Sequence, residues 1–342
     1  MINSIGSPVT NYTAPINTAS AAAAPEATGD VEFSYNSQDK FVMEPGTTVV
    51  HGVKIGENGP STDRVKMAKT ELKPSGQDSY VFKDGDKSFT GATTFATVNK
   101  TLEMMESGYG EKIPWCSRGD QIKLIPDAGE MLNAYYSRRD CSLNFFHATD
   151  PVTNQLVMSG DSGEVVSHEV GHAILDGLRP GYLQAWSPDP SGFHESFGDC
   201  VAMFMATQDD RVCDLVAQQT GGDLTKNNCL AATGEELGVT INNSSGKNAT
   251  GGNFIRNAIN DFKWQDPKTL PERPPSNDQL GTECHSWSRL FTGAVYDVMT
   301  GIVNRNMAEG MEPAAAIKAG GAEMIKLYGS LLKEAPKGDF TY

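Results

Sequence analysis

The chain predicts an α+β architecture, a β-rich N-terminal lobe followed by a mainly helical C-terminal lobe, and three observations point there. Apolar and polar residues alternate from residue 31 to about 83, as in Val31-Glu32-Phe33-Ser34-Tyr35 and Thr48-Val49-Val50-His51-Gly52-Val53-Lys54-Ile55, the period of half-buried strands. Beyond Gly181 the apolar spacing becomes helical. Between these regions lies His168-Glu169-Val170-Gly171-His172, inside a segment that itself reads as a helix. A chain of 342 residues is long enough for two lobes, since single cores rarely grow beyond about 250–300 residues.

The elements follow in order. Residues 1–30, rich in Ser, Thr, Asn, Pro and Ala, read as a disordered leader without a basic start or a secretory apolar core. Residues 31–163 form the β-rich lobe, with strands, a helix over 89–106, further strands at 121–125 and 143–146, and the loop Ser159-Gly160-Asp161-Ser162-Gly163. Residues 164–180 are a central helix whose apolar stripe is Val165, Val166, Ala173, Ile174 and Leu178, stopped by Arg179-Pro180-Gly181. In the C-terminal lobe, residues 181–342, the breaker-rich Ser187-Pro188-Asp189-Pro190 precedes a helix that Ser191 caps, running through Glu195, Asp199 and Val201 to Met205. Residues 220–252 and the proline-rich 266–283 read as exposed loops. A helix follows over 285–303, with Leu290, Phe291, Ala294, Val295, Val298, Met299 and Ile302 on one face, and a last one over 314–332. The central helix lies between the lobes, so its polar face belongs at the floor of a cleft.

That polar face carries the chemistry. Residues four apart share a helix face, so His168 and His172 can bind one metal ion while Glu169 stands beside its water. A zinc site that does chemistry has three protein ligands and an open position. The next helix supplies the third candidate, Glu195, and one turn on Asp199 can accept the second ring N–H of a ligating histidine. In that chemistry the ion lowers the pKa of its water from about 15.7 toward about 7, and Glu169 takes the proton as general base.

His-Glu-x-x-His followed by Glu-x-x-x-Asp resembles the thermolysin-like metallopeptidases of the gluzincin group. The resemblance implies a two-lobe metallopeptidase fold with the metal helix between the lobes, and zinc endopeptidase activity. It extends along most of the chain. Asn133-Ala134-Tyr135-Tyr136 is similar to the edge-strand segment that holds the substrate main chain, which implies substrate roles for Asn133 and Ala134. Tyr182 and His285 match donors to the tetrahedral intermediate, and Arg256 matches an arginine that reaches a substrate carbonyl. Met158, Val165 and Ile255 resemble positions forming an apolar pocket for the residue after the cleaved bond. Three departures stand out. His194 precedes Glu195 where the family has asparagine, and His285 lacks the usual aspartate, with Asp278 and Glu283 nearby. Of the family's calcium-binding acids Glu164 is present, but Ala206 stands near another position, so a calcium ion has thin support.

The 28 basic and 43 acidic residues give a formal charge of −15, which argues against a nucleic-acid binder or attachment to an anionic membrane. No stretch approaches the roughly 20 apolar residues of a membrane span, so the expectation is a soluble protein, cytoplasmic or exported by a non-classical route. Peptide or protein substrates are the expected partners; the oligomeric state is open. Six cysteines, Cys116, Cys141, Cys200, Cys213, Cys229 and Cys284, lack the paired spacing of a structural zinc module and read as free thiols, with Cys213 and Cys229 the pair to test for a bridge. Two other readings stay open: a gluzincin aminopeptidase-type hydrolase, against which stands the missing Gly-x-Met-Glu-Asn-type amine-binding motif, and an inactive binding or effector protein, against which stands the intact Glu169.

Overall fold

Strands occupy the first part of the chain because its alternating side chains can cover one face of a sheet. In the computed structural model, which describes residues 28–69, 71–115, 119–185 and 187–338, these are β1 (Gly29–Tyr35), β2 (Gly46–Gly56), β3 (Gly59–Ser61), β4 (Val65–Met67), β5 (Ser79–Tyr80), β6 (Ile122–Ile125), β7 (Ala134–Ser137) and β8 (Ser142–Phe145). They form one mixed sheet in the order β5-β1-β2-β3-β4-β6-β8-β7. The pairs β1/β2 and β7/β8 are antiparallel, whereas β4, β6 and β8 run parallel. The leader lies outside the described residues as far as residue 27, and Gly29 and Asp30, counted with it on composition, open β1.

Strand β7 is an edge, hydrogen-bonded on one side to β8, with Tyr135 opposite Asn144. Beyond it, β9 (His147–Thr149) and β10 (Leu156–Met158) make a small hairpin. One long helix, α1 (Phe89–Tyr109), interrupts the strands where the sequence predicts it, and packs on β1 and on later helices.

Helices dominate after residue 162: α2 (Gly163–Leu178), α3 (Pro188–Ala206), α4 (Asp210–Thr220), α5 (Glu235–Ser245), α6 (Cys284–Ala308) and α7 (Pro313–Glu334). A two-stranded ribbon joins β11 (Ala232–Thr233) to β12 (Arg256–Asn257). The whole is a mixed α and β structure with one continuous cluster of buried apolar side chains, from Phe33 and Phe95 to Val303 and Leu332.

Helix α2 starts where the Ser162 hydroxyl accepts the N–H of Val165, and stops as Pro180 and Gly181 approach. It is buried along most of its length, so its polar residues face protein rather than water. Helix α3 begins three residues earlier than the predicted Ser191 cap, with Ser187 at the N-cap and Pro188 at the first position. Proline is at home in a first turn, where an N–H has no intrahelical partner to lose.

Two expectations about elements are overturned. Residues 220–252 are not simply an exposed loop: they contain β11 and α5, with Leu230, Ala231 and Leu237 buried. The apolar face predicted for α6 is rotated, since Ala294 and Val298 are exposed while Ser288, Thr292, Gly293, Tyr296 and Thr300 are buried. Small and hydroxylated residues face α3 because the two helices are closely packed and satisfy one another, as in the Thr292 to Ser196 hydroxyl bond of 3.0 Å.

Candidate metal centre

Helices α2 and α3 cross at glycines. A Cβ on Gly171 would lie 2.9 Å from the Cα of Gly198, and one on Gly198 would lie 2.6 Å from His168 Nδ1. The bare backbone therefore lets α3 carry Glu195 up to the two histidines of α2. His168 Nε2 stands 3.5 Å from Glu195 Oε2, and His172 Nε2 stands 3.6 Å from Glu195 Oε1. Ligand atoms about 2.0–2.2 Å from a tetrahedral zinc are about 3.3–3.6 Å apart, so the spacing suits that ion. The donor set fits too: two imidazoles and a carboxylate, with Glu195 Oε2 buried and lacking a hydrogen-bond partner.

Each histidine is oriented from behind. His168 Nδ1 lies 3.0 Å from Asp199 Oδ1, the place the sequence assigns to that carboxylate. Burial favours the neutral ring, yet Asp199 and then Glu195 outweigh it and raise His168 to about 10. His172 Nδ1 lies 2.7 Å from His194 Nδ1, so the partner of the second ring is another histidine. Burial pushes His172 well below its usual value and His194 to about 4.

Arg256, on β12, reaches the centre across the ribbon. Its Nε and Nη2 donate to Asp199 at 2.8 and 2.6 Å, and Nη2 stands 3.9 Å from Glu195 Oε2. Burial alone would raise the Asp199 carboxyl, but Arg256 and His168 hold it at about 2. Glu169 sits beside these three candidate ligands, buried, and its Oε2 accepts the backbone N–H of Tyr136 on the edge strand at 2.8 Å. Burial raises it to about 7 despite His168.

The Tyr136 hydroxyl in turn donates to Asp176 at 2.8 Å, and Arg138 Nε donates to the same carboxylate at 2.8 Å. This brace of β7 against α2 is absent from the sequence reading. Its signal was available, because Asp176 lies seven residues after Glu169 and so near the same helix face.

His285 is the second residue of α6 and half-exposed at the rim, with Nε2 3.4 Å from Glu195 Oε2. Its acidic partner is Glu283, whose Oε1 lies 2.5 Å from His285 Nδ1 while Oε2 caps the helix through the N–H of Ser286. Asp278 pairs instead with Ser276. The Cys284 thiol stands in the same cluster, and burial, Glu195 and Glu283 push it up to about 12.

His168, Glu169, His172, Glu195, Arg256 and His285 open onto a cavity of about 1130 Å³, whose wall also includes Asn133, Ala134, Val165, Leu237, Ile241, Phe254 and Ile255. Met158, expected with Val165 and Ile255, is not part of the wall; Leu237 and Ile241 of α5 stand there, from a stretch read as loop. Tyr182 also departs from expectation. Its ring is on the wall, but its hydroxyl donates to the Pro336 carbonyl at 2.7 Å, so this geometry engages it with the C-terminal segment instead of offering a donor to the site.

A second acidic group lies at the start of α2. Oxygen atoms of Asp39, Glu164 and Glu235 lie within 4.8 Å of one another. Glu164 accepts the Gly234 N–H, and Glu235 Oε2 is buried without a partner. Cys200, Cys213, Cys229 and Cys284 are free thiols, so Cys213 and Cys229 are not bridged, and Cys116 lies outside the described residues. No helix among them is long and apolar enough to cross a membrane. No family model matches the chain, and no curated protein matches it.

Proposed function

We propose that the protein is a zinc-dependent endopeptidase of thermolysin-like, two-lobe architecture. The observation that carries this reading is the convergence of His168, His172 and Glu195 at 3.5 and 3.6 Å, with Glu169 beside them, in a cavity bordered by the edge strand β7. Zinc held by those three side chains supplies Lewis acidity, lowering the pKa of a water it binds toward about 7 and polarising a carbonyl.

The chain's own residues do the rest. An extended peptide adds to the outer edge of β7, with Asn133 and Ala134 holding its main chain and Arg256 reaching one of its carbonyls. Glu169 accepts the proton of the attacking water and delivers it to the leaving amine, a role suited to a carboxylate raised to about 7. His285, held at Nδ1 by Glu283, turns its Nε2 toward the developing oxyanion. Val165, Leu237, Ile241, Phe254 and Ile255 favour a bulky apolar residue after the cleaved bond. Calcium remains a subordinate proposal, held by Asp39, Glu164 and Glu235, whose all-oxygen donor set suits a hard cation.

Internally quenched peptides with blocked and free N-termini test the reading, with a chelator and with Glu169→Gln. The expected result is cleavage of blocked peptides, loss of it on zinc removal, and stoichiometric zinc uptake by E169Q with turnover lowered by about 10²–10⁴-fold. Cleavage of free amines alone supports the aminopeptidase-type reading. Folded protein that takes up no zinc, or E169Q as active as the parent, overturns the proposal. In a mixed peptide library, cuts should fall before bulky apolar residues; cuts dominated by charged residues there count against the pocket assignment.

A further inference from the structure

Two imidazole rings that meet nitrogen to nitrogen at 2.7 Å share one hydrogen, so one ring donates and the other accepts. At the other end of His172, Nε2 faces Glu195 Oε1 at 3.6 Å, within the donor set described above. A histidine that binds a metal through Nε2 must keep the lone pair there, so its single hydrogen is on Nδ1. His172 is then the donor and His194 the acceptor, which puts the hydrogen of His194 on Nε2. That nitrogen is buried and has no hydrogen-bond partner, in a residue only 3 % exposed.

We infer that His194 is a positioning residue for the metal centre: its Nδ1 accepts the Nδ1–H of His172 and thereby holds that ring in the tautomer and orientation that expose Nε2 to a metal ion. The inference rests on the zinc reading. It also accounts for an asymmetry between the two ligands. His168 is backed by the carboxylate of Asp199, itself neutralised by Arg256, whereas His172 is backed by a neutral ring. Asparagine at this position can accept through Oδ1, which leucine cannot, so acceptance and mere space-filling are separable.

The test combines zinc affinity, from competition with a chromophoric chelator, with ring-nitrogen NMR of the zinc-loaded protein. In the parent protein His172 should be protonated at Nδ1 and His194 at Nε2. His194→Asn should keep the parent affinity, and His194→Leu should weaken it by about 10–100-fold, the usual effect of removing the group behind a ligating histidine. If H194L does not fold, the NMR assignment and H194N still decide. Hydrogen on Nδ1 of His194, or folded H194L binding zinc as tightly as the parent, overturns the inference and leaves the zinc reading intact. A parent protein that takes up no zinc overturns both.

Discussion

Asp199 has two partners with different needs, a ring nitrogen of His168 and the guanidinium of Arg256. Removing the arginine leaves the buried carboxylate with the His168 ring as its remaining charged partner, so the cost falls below the about 3–5 kcal/mol of a fully broken buried pair. Arg256→Ala should therefore lower the melting temperature of the metal-free protein as well as weaken substrate binding. A melting curve unchanged from the parent would show that solvent replaces the guanidinium. The pH dependence has a definite sign: Asp199 is held at about 2, below its ordinary 3.8, so its contribution is present above about pH 3.8 and is lost as pH falls toward 2. At this level much of the centre was legible. His168, Glu169, His172, Glu195 and Asp199, which spacing along two helices singles out, are brought together by the fold, because a turn of helix places residues four apart on one face. The Tyr182 hydroxyl was misjudged because its partner, the Pro336 carbonyl, comes from the far end of the chain. Glu283 stood only two residues from His285, but a choice between it and Asp278 needed the backbone path into α6.

The crossing of α2 and α3 depends on two hydrogen atoms in place of side chains. A methyl at Gly171 meets backbone of α3 and at Gly198 meets the ring of His168. Gly171→Ala should separate the helices and destabilise the fold by about 1–3 kcal/mol, read by denaturant unfolding. Gly198→Ala should weaken zinc binding more than it lowers stability, since it pushes the imidazole itself. Equal losses in both measurements would mean that the ring is not seated by that glycine. Helices α1 and α7 matched expectation within a few residues. Helix α5 did not, because Glu235–Ser245 carries the Asn, Ser, Thr and Gly typical of turns and gains its burial from Phe254 and the ribbon beside it. Burial of hydroxyl-bearing residues on α6 was likewise invisible to an apolar pattern, since their partners are on α3.

Taken as one body, the protein carries several carboxyls whose burial outweighs nearby lysine. Burial raises Asp161 to about 6 and Glu236 to about 7 despite Lys40, which stands 3.3 Å from Glu236. Groups raised in the folded state keep protons that the unfolded chain releases, so their stabilisation is full below about pH 4 and is lost as pH rises through 6 to 7. Metal-free protein should therefore melt at a higher temperature at pH 5 than at pH 7.5. Calcium should raise the melting temperature more at pH 7.5 than at pH 5, because the protons that burial favours on Asp39, Glu164 and Glu235 compete with the ion less at the higher pH. A melting temperature that climbs between pH 5 and 7.5 without cation would count against these carboxyls holding protons.

The primary structure alone specified two helices bearing His168, Glu169, His172, Glu195 and Asp199, and the strand pattern ahead of them, since both depend on repeats a few residues long. Folding in three dimensions assigned the partners: His194 to His172, Tyr136 to Glu169, Glu283 to His285, and Asp39 with Glu235 to Glu164. Those pairings depend on how closely whole elements approach, which is governed by glycine contacts and by burial of surfaces far apart along the chain. Local periodicity carries no record of such distances.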